Sequence, residues 1–119
     1  MRLRALPAGL GFGFLLLMMA SGGVVAGNVP NGEHIYNQNC VACHGANGKG
    51  TIPGAPDFTA KGGVLSSPDK LLVGRIMNGY QSPGSPMAMP AKGGNPSLSR
   101  KDILAVLAYM RQTFSAQGK

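Results

Sequence analysis

Apolar and polar positions fall into two regimes along this chain. No charged residue occurs between Ala5 and Gly32, and the run from Leu10 to Ala20 is the densest apolar stretch in the sequence. Beyond Gly32 the apolar positions thin out and recur at helical spacing. Leu72, Val73, Ile76 and Met77 share one face of a segment that opens at Ser67-Pro68-Asp69, a capping serine followed by proline at the first helical position, and closes at Asn78-Gly79. Ile103, Leu107, Met110 and Phe114 form a second stripe, which opens at Ser99 with Asp102 as a capping-box partner and runs to about Ser115. A third segment starts at Asn31 as N-cap, places Glu33 in its first turn, and runs through Ile35 and Tyr36 to about Cys40. Every β-branched run is interrupted by Gly or Pro, so no strand is predicted. The pattern gives an all-α domain of three or more short helices.

Glycine and proline fill the intervals. The 119 residues include 19 Gly and 9 Pro, concentrated in Gly45 to Gly63 and in Tyr80 to Pro96. Loops of that length in a small domain need a function to account for them. One follows the only cysteine-containing motif, and the other carries Met87 and Met89.

The N-terminal regime reads as a secretory signal: Arg2 and Arg4 supply the positive end, Leu10 to Ala20 the apolar core, and Val24-Val25-Ala26 the small residues before a cleavage site. Residues 1–26 are thus expected to be removed, leaving 27–119 as one exported domain without stable membrane insertion, placed in the periplasm. The alternative is an uncleaved membrane anchor, since Ala5 to Ala26 is long enough to span a bilayer; Pro7 and the glycines within it argue against that. Residues 27–119 carry nine basic and four acidic side chains. The basic residues are scattered, with no arginine-rich stripe interleaved with aromatics, which excludes nucleic-acid binding. A domain of this size without tryptophan has difficulty filling a core with side chains alone, so a non-protein component is expected at its centre.

Cys40-Val41-Ala42-Cys43-His44 supplies that component. C-x-x-C-H is the attachment pattern of a covalent c-type haem: two thiols on one helical turn reach the two vinyl groups, and the next imidazole lies beneath the iron. A thioredoxin-like redox pair would need a βαβ context, and a zinc site a fourth ligand; neither is present. His44 is the proximal ligand by the geometry of the motif. His34, on the helix leading into the motif, is expected at the surface. A thioether is the natural soft partner on the other side of the iron. Met77 and Met110 belong to helical stripes and read as core, which leaves Met87 and Met89 as candidates.

In this order the motifs resemble a class I monohaem cytochrome c, over nearly all of residues 30 to 115. Gly32 with Tyr36 is similar to the family's N-terminal helix pattern, and Cys40 to Gly45 to its attachment site. Gly48-Lys49-Gly50 with Pro56-Asp57-Phe58 resembles the haem-side loop, Met89-Pro90-Ala91 the segment of the sixth ligand, and Leu98-Ser99 through Tyr109 the C-terminal helix. The resemblance implies the cytochrome c fold around one covalently bound haem c, with long Gly/Pro-rich loops. It implies Gly32 and Tyr36 packed on Val106 and Tyr109, His44 donating to the Pro56 carbonyl, and Met89 rather than Met87 on the iron. A six-coordinate iron has no open site, so the expected function is electron transfer rather than catalysis, between exported redox partners that dock transiently at the exposed haem edge. Lys49 and Lys92 would frame that edge for acidic partners, and Tyr80, Arg75, Lys61 and Gln81 compete for the haem propionates. The alternatives are a fixed haem subunit of a periplasmic dehydrogenase or oxidase complex, and a haem enzyme or gas sensor with a labile sixth ligand.

Overall fold

Three of the four helices form at the segments expected from the sequence, and the fourth is a single turn on the cysteine motif. The computed structural model describes residues 29–115 and, before them, Gly9 alone, so the expected signal segment lies outside the described residues. Helix α1 spans Val29–Asn39, α2 is the single turn Val41–His44, α3 spans Asp69–Asn78 and α4 spans Arg100–Phe114. Short 3-10 turns at Val64–Ser66 and Ala91–Gly94 lie in the long connections. No strand occurs among the described residues; a single antiparallel bridge pairs Tyr80 with Met89.

Two helix starts differ from the sequence expectation. α1 begins two residues before Asn31. Pro30 is tolerated in its first turn, where a backbone N–H has no intrahelical acceptor. Asn31 therefore does not cap its own helix, and its side chain helps to lower the Asp102 pKa. α3 begins at Asp69 with Pro68 in the cap position and no side-chain cap; the Pro68 carbonyl accepts the first N–H groups, from Leu71 and Leu72. At α4 the expectation holds in full. Ser99 Oγ accepts from the Asp102 N–H at 3.1 Å while the Asp102 carboxylate accepts from the Ser99 N–H at 2.8 Å.

The crossing of α1 over α4 carries the core. Gly32 sits so close to α4 that a Cβ there would overlap the Ala105 carbonyl and meet Tyr109 Cβ at 2.9 Å. One turn on, Tyr36 is buried, with its ring 5.5 Å from Tyr109 and 5.3 Å from Phe114. The expected contact of Gly32 and Tyr36 with the C-terminal helix is present, through Ala105, Tyr109 and Phe114. From there the apolar stripe of α4, Ile103, Val106, Leu107 and Met110, packs on Leu72 and Val73 of α3 and on Leu65 of the preceding loop. Arg111 ties that loop down: Nε donates to the Leu65 carbonyl at 3.1 Å, Nη2 donates to the Ser67 carbonyl at 2.7 Å, and Nη1 pairs with Asp69.

A candidate haem crevice

The thiol-bearing turn is held by a buried hydroxyl and by the loop that follows it. The Tyr36 hydroxyl, buried beneath it, donates to the Gly45 carbonyl at 2.6 Å. The following loop folds back on it: Gly50 N–H donates to the His44 carbonyl at 2.8 Å, Thr51 N–H to the Cys43 carbonyl at 2.9 Å, and Thr51 Oγ1 to the Ala42 carbonyl at 2.6 Å. Gly48 makes this reversal possible. It adopts φ +74°, and a Cβ would lie 2.7 Å from the Phe114 ring, so both backbone and space require glycine. Its carbonyl accepts the Phe58 N–H at 2.8 Å, which seats the Phe58 ring in a stack on the His44 imidazole at 4.7 Å.

His44 is buried. Loss of water around it pushes its pKa below the ordinary histidine value, which keeps the ring neutral and its lone pair available to a metal. The bond expected from Nδ1 to the Pro56 carbonyl is not formed; Nδ1 is buried without a hydrogen-bond partner among the described residues. The loop turns instead so that Phe58, two residues beyond Pro56, covers the imidazole. Cys40 and Cys43 are half-buried and not joined to each other. Burial, with a smaller contribution from the neighbouring Cys43, pushes the Cys40 thiol up to about 11.

All these groups face one cavity of about 510 Å³, walled by apolar side chains such as Ile52, Val64, Leu72, Ile76 and Leu107. Met87 and Met89 reach it from the far loop. The Met89 backbone is fixed by the bridge to Tyr80, with N–H groups donating in both directions at 2.8 and 3.1 Å. Met87 is held only through Ser85, whose hydroxyl donates to its carbonyl at 2.8 Å, and it is 49% exposed. Of the other methionines, Met110 is buried in the core and Met77 packs on it, as their helical spacing requires. His34 is exposed. Arg75 and Tyr80 line the cavity, with the guanidinium 4.0 Å from the Tyr80 ring centre; Lys61, Gln81, Lys49 and Lys92 do not line it.

The ligand loop is joined to the thiol-bearing segment. After Pro90-Ala91 the chain reverses through three left-handed residues, Lys92, Gly93 and Gly94. The Asn95 amide then donates to Asn39 Oδ1 at 3.1 Å, beside Cys40. No local pattern in the sequence marks this link, the Phe58 stack or the Arg111 tie. Each joins residues distant in the chain, and only the attachment motif has a local pattern to be read.

Paired reduced thiols, a neutral buried imidazole and a thioether in one apolar crevice fit a covalently held haem, and the helical frame is that of a small haem protein. The family model described as Cytochrome c matches residues 29–114. The chain belongs to the cytochrome c family; it carries one covalently bound haem c and is an electron-transfer protein. Cytochrome c-555 of Prosthecochloris aestuarii is 38% identical over 88 residues, covering 70% of this chain and 85% of that protein. Lupanine 17-hydroxylase [cytochrome c] of a Pseudomonas species is 38% identical over 85 residues, which cover 69% of this chain and only 11% of that protein. The crystal structure of cytochrome cL from Methylophaga aminisulfidivorans MPT shares the fold, with a TM-score of 0.59 at 22% identity, over 76% of this chain and 56% of that one.

Proposed function

We propose that this protein shuttles single electrons between exported redox partners, with Cys40 and Cys43 holding the haem by thioether bonds and His44 and Met89 as its axial ligands. The observation that carries the reading is the meeting of two reduced thiols, a neutral imidazole and the Met89 thioether in one apolar cavity. The haem supplies a one-electron ferric/ferrous couple whose potential a thioether ligand raises. The chain excludes water with Leu72, Ile76 and Leu107, fixes the imidazole by stacking Phe58 on it, and holds the thioether arm shut through the Tyr80 bridge. Arg75 and Tyr80, both on the cavity wall, are the donors for the propionates. With His44 and Met89 both committed to the iron, the chain would leave no open site for a substrate, which supports a carrier rather than an enzyme.

An absorbance spectrum of the exported protein tests the ligand set. The ferric band near the red edge of the visible, known from methionine-ligated haems, should persist in Met87→Ala and disappear in Met89→Ala. The reverse result makes Met87 the ligand. Fast, complete binding of carbon monoxide to the ferrous protein would show an open site and overturn the carrier reading in favour of an enzyme or gas sensor.

Partners dock at the cavity mouth, where Pro53, Met87 and Ala88 are exposed. Lys49 and Lys92 lie in the two loops beside it and outside the cavity lining, so they act on acidic partners at a distance. Exchange with an acidic partner should slow as ionic strength rises; a flat profile removes the steering. The protein works in the periplasm after loss of residues 1–26, and N-terminal sequencing should begin at Gly27. An N-terminus that retains residues 1–26 in a membrane fraction would indicate the anchored form. Among the described residues no helix is long and apolar enough to cross a membrane. The match to a short part of lupanine 17-hydroxylase favours a second reading, a haem module fixed to a larger dehydrogenase or oxidase complex. Co-purification with a larger redox protein from the native source would select it.

A further inference from the structure

Four methionines lie among the described residues, and their surroundings differ. Met110 is buried in the core, Met77 packs against that core, and Met89 is partly covered where it faces the cavity. Met87 alone of the four combines 49% exposure with a place on the cavity wall. Its backbone is pinned at both polar groups by Ser85, since the hydroxyl donates to the Met87 carbonyl and accepts from the Met87 N–H. The residue is thus held at the cavity wall while open to solvent. The two loops beside it carry no charge: no ionisable side chain other than Tyr80 occurs from Gly79 to Ala91, and none at all from Gly50 to Pro56. Among the described residues the one charged side chain on the cavity wall is Arg75, which stacks on Tyr80.

We propose that Met87 is a reversible oxidation site that governs docking at the haem edge. A hydroperoxide is the oxidant. The Met87 sulfur lone pair attacks the terminal peroxide oxygen, the O–O bond breaks, and the S–O bond forms. Sulfur loses two electrons to the peroxide, whose other oxygen leaves as water or alcohol after taking a proton. The product replaces an apolar thioether by a strong hydrogen-bond acceptor. In a docked contact that acceptor loses its hydrogen bonds to water, and burying it without a replacement donor is unfavourable. Oxidation thus weakens association while leaving the Met89 arm intact, and a methionine sulfoxide reductase restores it. The inference rests on the proposed electron-carrier reading and concerns the mouth of the same crevice.

The test uses the ferric holoprotein, limiting hydrogen peroxide and peptide mass spectrometry. Met87 should gain oxygen roughly fivefold or more faster than Met77, Met89 and Met110. Electron self-exchange between ferric and ferrous copies, which brings two such mouths together, should slow severalfold in the treated wild type. Peroxide-treated and untreated Met87→Leu should exchange at the same rate as each other, with the methionine-ligation band retained in wild type and variant. Equal or earlier oxidation of another methionine, or unchanged self-exchange after stoichiometric Met87 oxidation, overturns the proposal. Failure of the underlying reading looks different: the untreated protein would then lack the methionine band or show no self-exchange.

Discussion

Tyr36 shows how much a single residue of the α1 and α4 crossing does for the haem-bearing turn. Its hydroxyl is the donor to the Gly45 carbonyl, immediately after His44. Tyr36→Phe should leave the Gly45 carbonyl with only the Gly48 N–H, at 3.2 Å, and cost about 0.5–1.5 kcal/mol in denaturant unfolding of the holoprotein. Burial first, then the nearby Cys40 and Tyr109, push its pKa up. A folded-state value above the unfolded one means that the Tyr36 contribution is complete below about pH 10 and falls away at more alkaline pH. The alkaline loss of stability should therefore be smaller in Tyr36→Phe than in the wild type. Cys40, Cys43 and His44 were legible in the sequence because their spacing is itself the chemistry. The Tyr36 bond and the Phe58 stack were not, because they depend on where two helices cross and how a loop returns.

The crossing makes the strongest demand at the level of elements. Gly32→Ala should force α1 away from α4 and destabilise the fold by about 1–3 kcal/mol, the range for overpacking a closed interface, as measured by the denaturation midpoint. The start of α4 gives a pH-dependent counterpart. Hydrogen bonds from Ser99, and a further one from Asn31, hold the Asp102 carboxyl below the ordinary aspartate value. A folded-state value lower than the unfolded one, about 3.9, means that the stabilisation is present at neutral pH and is lost as pH falls through the folded-state value. Asp102→Asn should thus be less stable than the wild type at pH 7, and the two should converge in acid when melting temperatures are compared. The capping box was legible because Ser99 and Asp102 are three residues apart. The starts of α1 and α3 were missed by three residues and by one: a proline near a helix start does not fix which residue begins it, since Pro30 lies inside α1 and Pro68 is the cap of α3.

Taken whole, the molecule is a helical frame around a space that side chains do not fill. A space of about 510 Å³ is several times larger than the gap left by removing any one core side chain, so the frame depends on what fills it. Replacing both Cys40 and Cys43 by Ala should therefore abolish the folded state when the haem is not retained, seen as loss of the helical circular dichroism signal. Composition had already pointed to a missing core, and the attachment motif named its content. The path by which the far loop returns to that centre had no local signature. That path ends in the Tyr80 and Met89 bridge, two peptide N–H groups paired across an otherwise open segment. In deuterium oxide those two amides should exchange together, and more slowly than those of Gln81, Gly84 and Ala88, at a rate set by how often the clasp opens. They are a built-in clock for the thioether arm, and one that can be read in either oxidation state without perturbing the iron.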